Sequence, residues 1–509
     1  MGLLLTILLG FLASLIGGLY LLGVFRRRQP GEPPLDKGLI PWLGHVLEFR
    51  SNTLKFLERM KQKHGDVFTV QLGGFYITFI QDSLSFGQFE KDSRAKFDFK
   101  KLARHILYRV FDYEPQEDQH HIVQISSNKY LKGDGLKVMI QAMMAHFQNL
   151  MLHRINAVAD KSTWIEDGLF MYSCNINFGA GYLSMFGNTP PESEGSEEKA
   201  KEKDRAEMET LFYEWRKYDH LFPDEILKLQ TPKDKFETQR LKELFWNALS
   251  VKKLKNKDNL SRWIWDIQQF RNDMGMKESM IDRYMFVLLW ASQGNPGPAS
   301  FWLLFFLMKH PEAMAAVKEE VDRVVKESGQ EVRRGGPLVD LTDDMLNKAS
   351  ILDSALEESL RLTAAPLLPR DVLQDTTFKM ADGREYFIRK GDKVAIFPYS
   401  AVQMDPEIHP DPCSFKYDRF LNPDGSKKTD FYKQGKKMKY YNMPFGSGIS
   451  MCPGRFYAWS QIKQFVFLML VYFEFELKNP DEKIPEFTRL GIGSMQPAND
   501  VQFQYRFRQ

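Results

Sequence analysis

A loop with a single cysteine near the carboxyl end constrains the fold of this chain more than any other feature. Residues 442–456 read NMPFGSGISMCPGRF, and residues 454–473 have the apolar spacing of a buried helix. Cys452 is therefore expected at the amino end of a helix, where unpaired backbone N–H groups and the helix dipole favour thiolate over thiol. A thiolate in that position is a potential metal ligand. A plain buried cysteine at a loop–helix junction is the alternative interpretation.

A second feature is an apolar stretch long enough to cross the middle of a large protein. Residues 284–308 are apolar on nearly all sides, which predicts a buried helix, and QGNPGP at 293–298 interrupts it. Proline has no N–H, so the carbonyls of Ser292 and Gly294 lose their helical partners and a kink is expected. The kink would offer carbonyls and a groove to oxygen, water or a substrate. Trp290 is expected to form a wall there, with a core tryptophan as the alternative.

The remaining patterns predict a mainly α protein with small β-sheets. Residues 54–64 are typical of an amphipathic helix, residues 65–80 alternate in period two as a β-hairpin, and most of the chain to about 363 has helical periodicity. Residues 189–207 contain almost no apolar side chain, which predicts a mobile surface loop before a helix that begins near Glu209.

The amino terminus has the pattern of a membrane anchor. Residues 1–25 carry no charge and are followed by three arginines, and such a length can cross a hydrocarbon core of about 30 Å. The arginines are expected on the cytosolic side, which leaves the body in the cytosol. We therefore divide the chain into an anchor (1–25), a basic, proline-rich hinge (26–44) and a catalytic domain (45–509).

Composition excludes several classes of protein. The net charge of the 509-residue chain is only +3, which does not favour nucleic acid as a partner. The three cysteines are scattered and odd in number, so no disulfide framework is indicated. Six lysines between 427 and 439 indicate a solvated loop or, on the cysteine side of a cofactor, a docking face for an acidic electron donor.

The cysteine loop also resembles a known family. Phe445, Gly448, Cys452 and Gly454 match the pattern F-x-x-G-x-x-x-C-x-G of the haem-binding loop in the cytochrome P-450 superfamily, whose cysteine thiolate is the axial iron ligand. The resemblance implies haem b (iron protoporphyrin IX) as cofactor and a cytochrome P-450 fold with one N-terminal transmembrane helix. Ser450 stands where the superfamily commonly has a basic residue for a haem propionate.

The resemblance implies roles for residues elsewhere in the chain. Glu358, Arg361 and Arg419 match the buried Glu-Arg-Arg triad of the superfamily, and Arg370 becomes the principal propionate partner because Ser450 carries no charge. The full expected set comprises the catalytic residues Asn295, Gly294 and Cys452, the haem-binding residues Cys452, Phe445, Gly448, Gly454, Arg370 and Lys132, and the pocket residues Trp290, Ala364, Ala365, Leu367, Leu368, Ser494 and Met495.

Most monooxygenases of the superfamily carry an acid followed by threonine where this chain has Gly294 and Asn295. The resemblance therefore implies that the Asn295 amide replaces the alcohol in proton delivery, or that oxygen activation is not the reaction. Stretches 32–38, 293–298 and 415–423 resemble a small family that contains both bile acid sterol hydroxylases and an endoperoxide isomerase. The sequences at 64–74, 290–295 and 446–456 are closer to the hydroxylases.

The function implied by the resemblance is hydroxylation of a sterol in bile acid synthesis, with 7-alpha-hydroxycholest-4-en-3-one as substrate. The reaction would use O2 and electrons from an NADPH-dependent cytochrome P-450 reductase, at the endoplasmic reticulum membrane. An endoperoxide isomerase that needs no reductase is the first alternative. A haem-thiolate sensor or electron carrier is the second.

Overall fold

Helices form most of the protein, in a computed structural model that describes residues 2–21, 26–92, 95–116, 119–158, 160 and 162–508. The helices are α1 (Gly2–Leu21), α2 (Val46–Ser51), α3 (Thr53–His64), α4 (Phe86–Asp92), α5 (Lys100–Phe111), α6 (Gln119–Tyr130), α7 (Gly133–Ala157), α8 (Leu169–Phe186), α9 (Pro191–Glu194), α10 (Glu197–Leu227), α11 (Pro232–Ala248), α12 (Val251–Leu254), α13 (Arg262–Asp273), α14 (Glu278–Gln293), α15 (Pro296–Lys309), α16 (Pro311–Glu327), α17 (Asp343–Lys348), α18 (Ser350–Thr363) and α19 (Arg455–Tyr472).

The strands are short and collect into small sheets. They are β1 (Leu35–Asp36), β2 (Val67–Leu72), β3 (Phe75–Ile80), β4 (Phe97–Asp98), β5 (Ile165–Gly168), β6 (Leu368–Val372), β7 (Thr376–Lys379), β8 (Glu385–Ile388), β9 (Lys393–Ile396), β10 (Tyr432–Lys433), β11 (Lys436–Lys437), β12 (Phe473–Leu477), β13 (Phe487–Thr488), β14 (Gln496–Pro497) and β15 (Gln502–Phe507). The largest sheet has the order β1-β2-β3-β9-β6-β4, with β1/β2 and β3/β9 parallel. The predicted class, mainly α with small sheets, is confirmed.

The local predictions for residues 54–80 are also confirmed. The amphipathic helix is α3, capped by the Asn52 side chain, which accepts a hydrogen bond from the Lys55 amide. The hairpin is the antiparallel pair β2–β3, whose turn contains Gly73 and Gly74, both with positive φ.

The long apolar helix is broken rather than kinked. It becomes α14 and α15, with Gly294 and Asn295 between them. Pro296 occupies the first position of α15, where a missing N–H costs no hydrogen bond. Helix α15 is buried along most of its length and packs against α8, α18 and α19, so the break lies at the centre of the main hydrophobic core.

The predicted mobile loop at 189–207 is wrong. Helix α10 begins at Glu197, inside this segment, and the Ser196 side chain caps it by accepting from the Lys199 amide. Acidic residues in the first turn and the Glu197–Lys201 pair one turn apart stabilise the helix. The polar composition suggests a loop, but these residues are good helix formers. The helix that they form is largely exposed to solvent.

The hinge is tied to the body by ion pairs. Arg26 binds Asp392 through two parallel hydrogen bonds, at 2.6 and 2.5 Å. Arg389 pairs with Glu32, and β1 joins the largest sheet beside β2. Within the described residues, which include α1 but not 22–25, no helix has both the length and the apolar character needed to cross a membrane. The predicted span over residues 1–25 is not confirmed.

Candidate active site

The cysteine loop folds tightly against α4 before α19 begins. The Cys452 amide donates to the Phe445 carbonyl at 2.9 Å, which closes the loop, and α19 begins at Arg455. Gly448 has a φ of 61°, and a Cβ at this position would collide with the Glu90 carboxylate. Glu90 also accepts a hydrogen bond from the Ser447 hydroxyl. The loop therefore needs glycine at 448 for both its backbone conformation and its contact with α4.

The environment of the thiol differs from the expectation of a thiolate stabilised by the helix end. Burial raises the pKa of Cys452, although the Gly454 amide and the Arg455 charge act in the opposite direction. The placement of Cys452 just before a helix is as predicted, but the first turn does not overcome the loss of water around the sulfur. Coordination to a metal at the sulfur would favour the thiolate at this position.

Arg370 on β6 is a buried cation with unused hydrogen-bonding capacity. Its Nη1 donates to the Pro369 carbonyl at 2.9 Å, and its Nη2 lies 3.9 Å from the Glu90 carboxylate. Within the described residues, Nε and Nη2 have no hydrogen-bond partner. Burial lowers the pKa of Arg370, because the charged guanidinium loses contact with water at this position. A buried guanidinium with unpaired N–H groups fits an anionic group such as a haem propionate.

The other two expected propionate positions provide less. Ser450 ends the short 3₁₀ turn Gly448–Ser450 and carries no charge. Lys132 lies just before α7, and its ammonium donates to the Asn128 side chain at 2.8 Å at an exposed position. The role of Lys132 in binding haem stays a prediction.

Glu358, Arg361 and Arg419 meet in the interior. Both arginines donate to the Glu358 carboxylate at 2.7–2.9 Å. Glu358 and Arg361 have no exposed surface. The remaining guanidinium N–H groups donate to backbone carbonyls between residues 403 and 414, so the cluster joins α18 to the segment before the cysteine loop.

At the helix break, one polar side chain keeps a donor available and one backbone carbonyl is bound by an arginine. Asn295 Oδ1 accepts from the Ser494 amide at 2.9 Å, and among the described residues its Nδ2 has no hydrogen-bond partner. The Gly294 carbonyl accepts from Arg489 Nη1 at 2.9 Å. The expectation that the Gly294 carbonyl is available to water or oxygen is therefore wrong, because a distant arginine replaces the helical donor that Pro298 removes.

Trp290 stands in an aromatic cluster one turn before the break. It stacks on Phe222 of α10 at a centroid distance of 4.0 Å and contacts Phe111 of α5 at 5.5 Å. Within the described chain, its buried indole N–H has no partner. Trp290 is only partly buried and packs against the main core, and its role as a pocket wall stays a prediction.

The other expected pocket residues divide into two groups. The segment after α18 pairs with the carboxyl-terminal turn through Ala364 and Ser494 and through Pro366 and Gly491. Leu367 and Leu368 are partly exposed, as a pocket requires. Ala364, Ala365, Ser494 and Met495 are buried, and their assignment to the pocket stays a prediction.

Two residues of this site were not predicted from the sequence. Glu90 contacts the cysteine loop from α4, and Arg489 contacts the helix break from the carboxyl-terminal turn. One indication of Arg489 was present in the sequence, because this residue lies just before the turn that contains the expected pocket residues. For Glu90 the sequence offered none, because an acid on a short helix is ordinarily at the surface.

A cysteine loop at the start of a helix, together with a broken helix in the core of a mainly α fold, defines a haem-thiolate protein. The chain belongs to the cytochrome P450 family, because the family model described as Cytochrome P450 matches residues 33–503. Its cofactor is haem, and it is an enzyme of the haem-thiolate monooxygenase type.

Full-length relatives support this membership. The chain is 47% identical to 7-alpha-hydroxycholest-4-en-3-one 12-alpha-hydroxylase of Homo sapiens, over 98% of this chain and 98% of that protein. It is 41% identical to prostacyclin synthase of Bos taurus, over 94% of this chain and 95% of that protein. The structure of retinoic acid bound cyanobacterial CYP120A1 has the same fold, with a TM-score of 0.71 at 21% identity, covering 94% of this chain and all of that one.

Proposed function

We propose that the protein hydroxylates a sterol at carbon 12, with 7-alpha-hydroxycholest-4-en-3-one as substrate and O2 as the oxygen source. The observation that carries the proposal is the 47% identity to 12-alpha-hydroxylases along nearly the whole chain, against 41% to prostacyclin synthase. The partly exposed Trp290, which stacks on the buried Phe222 and contacts the buried Phe111, suits a flat, rigid, apolar molecule.

The residues present fit a haem in two respects. Cys452 would hold the iron through its sulfur, and Arg370 would donate its unpaired N–H groups to a propionate. When bound, haem supplies the activation of O2 with two electrons from outside the protein. The protein supplies the orientation of the sterol, the exclusion of water and the path for protons.

Asn295 is the residue proposed to donate hydrogen bonds in proton delivery. Its Oδ1 is held by the Ser494 amide, so the side chain is fixed with Nδ2–H as the available donor. An amide cannot lose a proton at physiological pH, so Asn295 orients water or the reacting oxygen, and the protons themselves come from solvent. With the Gly294 carbonyl bound to Arg489, the amide N–H rather than that carbonyl does this work.

The electron donor proposed is an NADPH-dependent cytochrome P-450 reductase, and the location proposed is the endoplasmic reticulum membrane with the body in the cytosol. The uncharged run at 1–25, followed by three arginines, supports a single-pass anchor. Lys427, Lys433 and Lys437 of the basic stretch pair with acidic residues of this chain. Lys436 and Lys439 are exposed and remain candidates for contact with an acidic partner.

The experiment that tests the proposal compares two reactions of the purified holoenzyme. With reductase, NADPH and 7-alpha-hydroxycholest-4-en-3-one, we expect one 12-hydroxylated sterol for nearly every NADPH consumed. Asn295→Ala should divert electrons to peroxide and lower this yield by about 10-fold, while the sterol spectral titration keeps its Kd. Asn347→Ala, at an exposed asparagine of α17, is the matched control and should leave the yield unchanged.

The second candidate is an endoperoxide isomerase, which the 41% identity to prostacyclin synthase over 94% of this chain favours. An isomerase needs no electrons, because its substrate contains its own O–O bond. No hydroxysterol from the unmutated protein, together with conversion of a prostaglandin endoperoxide without reductase, would replace the hydroxylase with the isomerase.

A further inference from the structure

The strongest unassigned feature of the molecule is a buried charged cluster between α10 and the helix break. Arg489 Nη2 lies 3.0 Å from Asp219 Oδ1, and its Nη1 lies 3.3 Å from Asp219 Oδ2. Arg216 and Gln496 also donate to Asp219, at 3.0 and 2.8 Å. Asp219 and Arg489 are both buried.

The backbone conformation of Arg489 indicates that the arginine side chain is needed at this position. Its φ is 64°, in the left-handed region that disfavours residues with a Cβ. Glycine would be the ordinary choice for such a turn. Arginine here also carries the cost of burying a cation, and the compensation comes from Asp219 and from the Gly294 carbonyl.

Helix α10 reaches both sides of the break through one of its faces. Asp219 and Phe222 are three residues apart and therefore lie on the same face. Phe222 stacks on Trp290, which precedes the break, and Asp219 holds Arg489, which binds the Gly294 carbonyl within it. The position of α10 and the geometry of the break are thus linked by two separate sets of contacts.

We propose that Arg489 is a positioning residue, which holds the Gly294 carbonyl so that Asn295 keeps its orientation, and that Asp219 makes this hold depend on the position of α10. Arg489 supplies to the Gly294 carbonyl the donor that Pro298 lacks, and so stabilises the break that the prolines create between α14 and α15. Any displacement of α10 that draws Asp219 away leaves Arg489 without its anion and loosens the break. The reaction-related part of this inference rests on the proposed hydroxylase function.

The test uses the haem-bound protein and three variants, Asp219→Asn, Arg489→Lys and Arg489→Gln. Amide hydrogen exchange is followed in peptides that cover residues 290–300, and the yield of hydroxysterol per NADPH is measured beside it. We expect Asp219→Asn and Arg489→Gln to speed exchange in these peptides and to lower the yield, each by about threefold to tenfold. Arg489→Lys keeps a cation and a donor, so it should recover part of both effects.

Arg506→Gln is the matched control, because Arg506 of β15 pairs with Glu474 of β12 at partly exposed positions. It should change neither readout. The inference is overturned if Asp219→Asn leaves exchange at 290–300 as in the unmutated protein, or if exchange rises equally across the chain, which would indicate general destabilisation. Hydrogen exchange requires no turnover, so a failed hydroxylase assay with a positive exchange result rejects the proposed reaction and keeps the coupling.

Discussion

Cys452 decides the cofactor chemistry at the scale of a single residue. Burial raises the pKa of Cys452, and coordination to iron would favour the thiolate against this effect. The reduced carbonyl complex of the holoenzyme is expected to absorb far to the red of a histidine-ligated haem. Cys452→His should move the band to the histidine position, and Cys413→Ser, at an exposed cysteine, should leave it in place. An unchanged band in Cys452→His would contradict the assignment.

Arg370 should matter more to haem retention than Ser450. Within the described part of the chain, two nitrogens of the buried guanidinium have no hydrogen-bond partner, whereas Ser450 can offer only a hydroxyl. Transfer of haem to apomyoglobin measures retention directly. We expect Arg370→Leu to release haem about 10-fold faster, as the loss of a charge-assisted hydrogen bond requires, and Ser450→Ala to differ little from the unmutated protein. The reverse order would remove Arg370 from the site.

His409 should make the stability of the fold depend on pH. It is fully buried, and its ring nitrogen Nε2 lies 2.7 Å from the Tyr441 carbonyl. Burial lowers the pKa of His409 to about 3, and the neighbouring Arg361 and Arg419 act in the same direction. Between the ordinary pKa of about 6.5 and this value, the unfolded chain binds a proton that the folded chain does not.

Stability is therefore lost as pH falls from about 6.5 towards 3, by at most about 1.4 kcal/mol per pH unit for this group. His409→Gln keeps a donor for the Tyr441 carbonyl and removes the titration. Urea unfolding at pH 6 and pH 5 should show a slope smaller by about 1 kcal/mol per pH unit in this variant. His220→Gln, at an exposed position, should keep the original slope, and the idea is wrong if both variants do so.

The carboxyl-terminal turn holds the helix break in place. Substitutions at two of its glycines can distinguish the effect of backbone strain from the effect of contact with Asn295. Gly491 and Gly493 both have positive φ, at 89° and 70°. A Cβ at 493 would collide with the Asn295 side-chain oxygen, whereas a Cβ at 491 would meet only Leu367 at an ordinary 3.8 Å. Each substitution by alanine should cost about 1–2 kcal/mol of stability through φ alone.

Only Gly493→Ala should also displace Asn295. We expect this variant to form less hydroxysterol per NADPH than Gly491→Ala when the two are compared at equal haem content. Thermal unfolding of both proteins gives the control for strain. Equal yields in the two variants would show that the contact between the turn and Asn295 has no part in the reaction.

The whole molecule offers a test of the domain division. The hinge is held by Arg26 with Asp392 and by Glu32 with Arg389, so removal of 1–25 should leave the haem domain intact, with a Tm within about 2 °C. The full chain should stay with the membrane fraction after alkaline carbonate, and the truncated chain should be released. Release of the full chain under these conditions would reject the proposed anchor.

Local sequence determined a large part of the fold, because the relevant signals lie within one or two turns of the chain. The period-two alternation at 65–80 gave the hairpin β2–β3, and the prolines after Asn295 gave the break before α15. The loop around Cys452 was assigned from four positions in a window of ten residues. The loop predicted for the polar segment 189–207 is wrong, because composition alone does not distinguish a solvent-exposed helix from a loop. The helix is recognised only when Ser196 is identified as its amino-terminal cap.

The tertiary structure alone decided which groups meet the ends of these elements. Arg489 binds the Gly294 carbonyl and Glu90 binds Ser447, across 195 and 357 residues of sequence. It also decided that Met495 and Ala365 are buried beside the largest sheet. Helix periodicity and turn chemistry act between neighbours in the chain, whereas the partners of a buried charge or an unpaired carbonyl are set by how the elements pack, which no local pattern records.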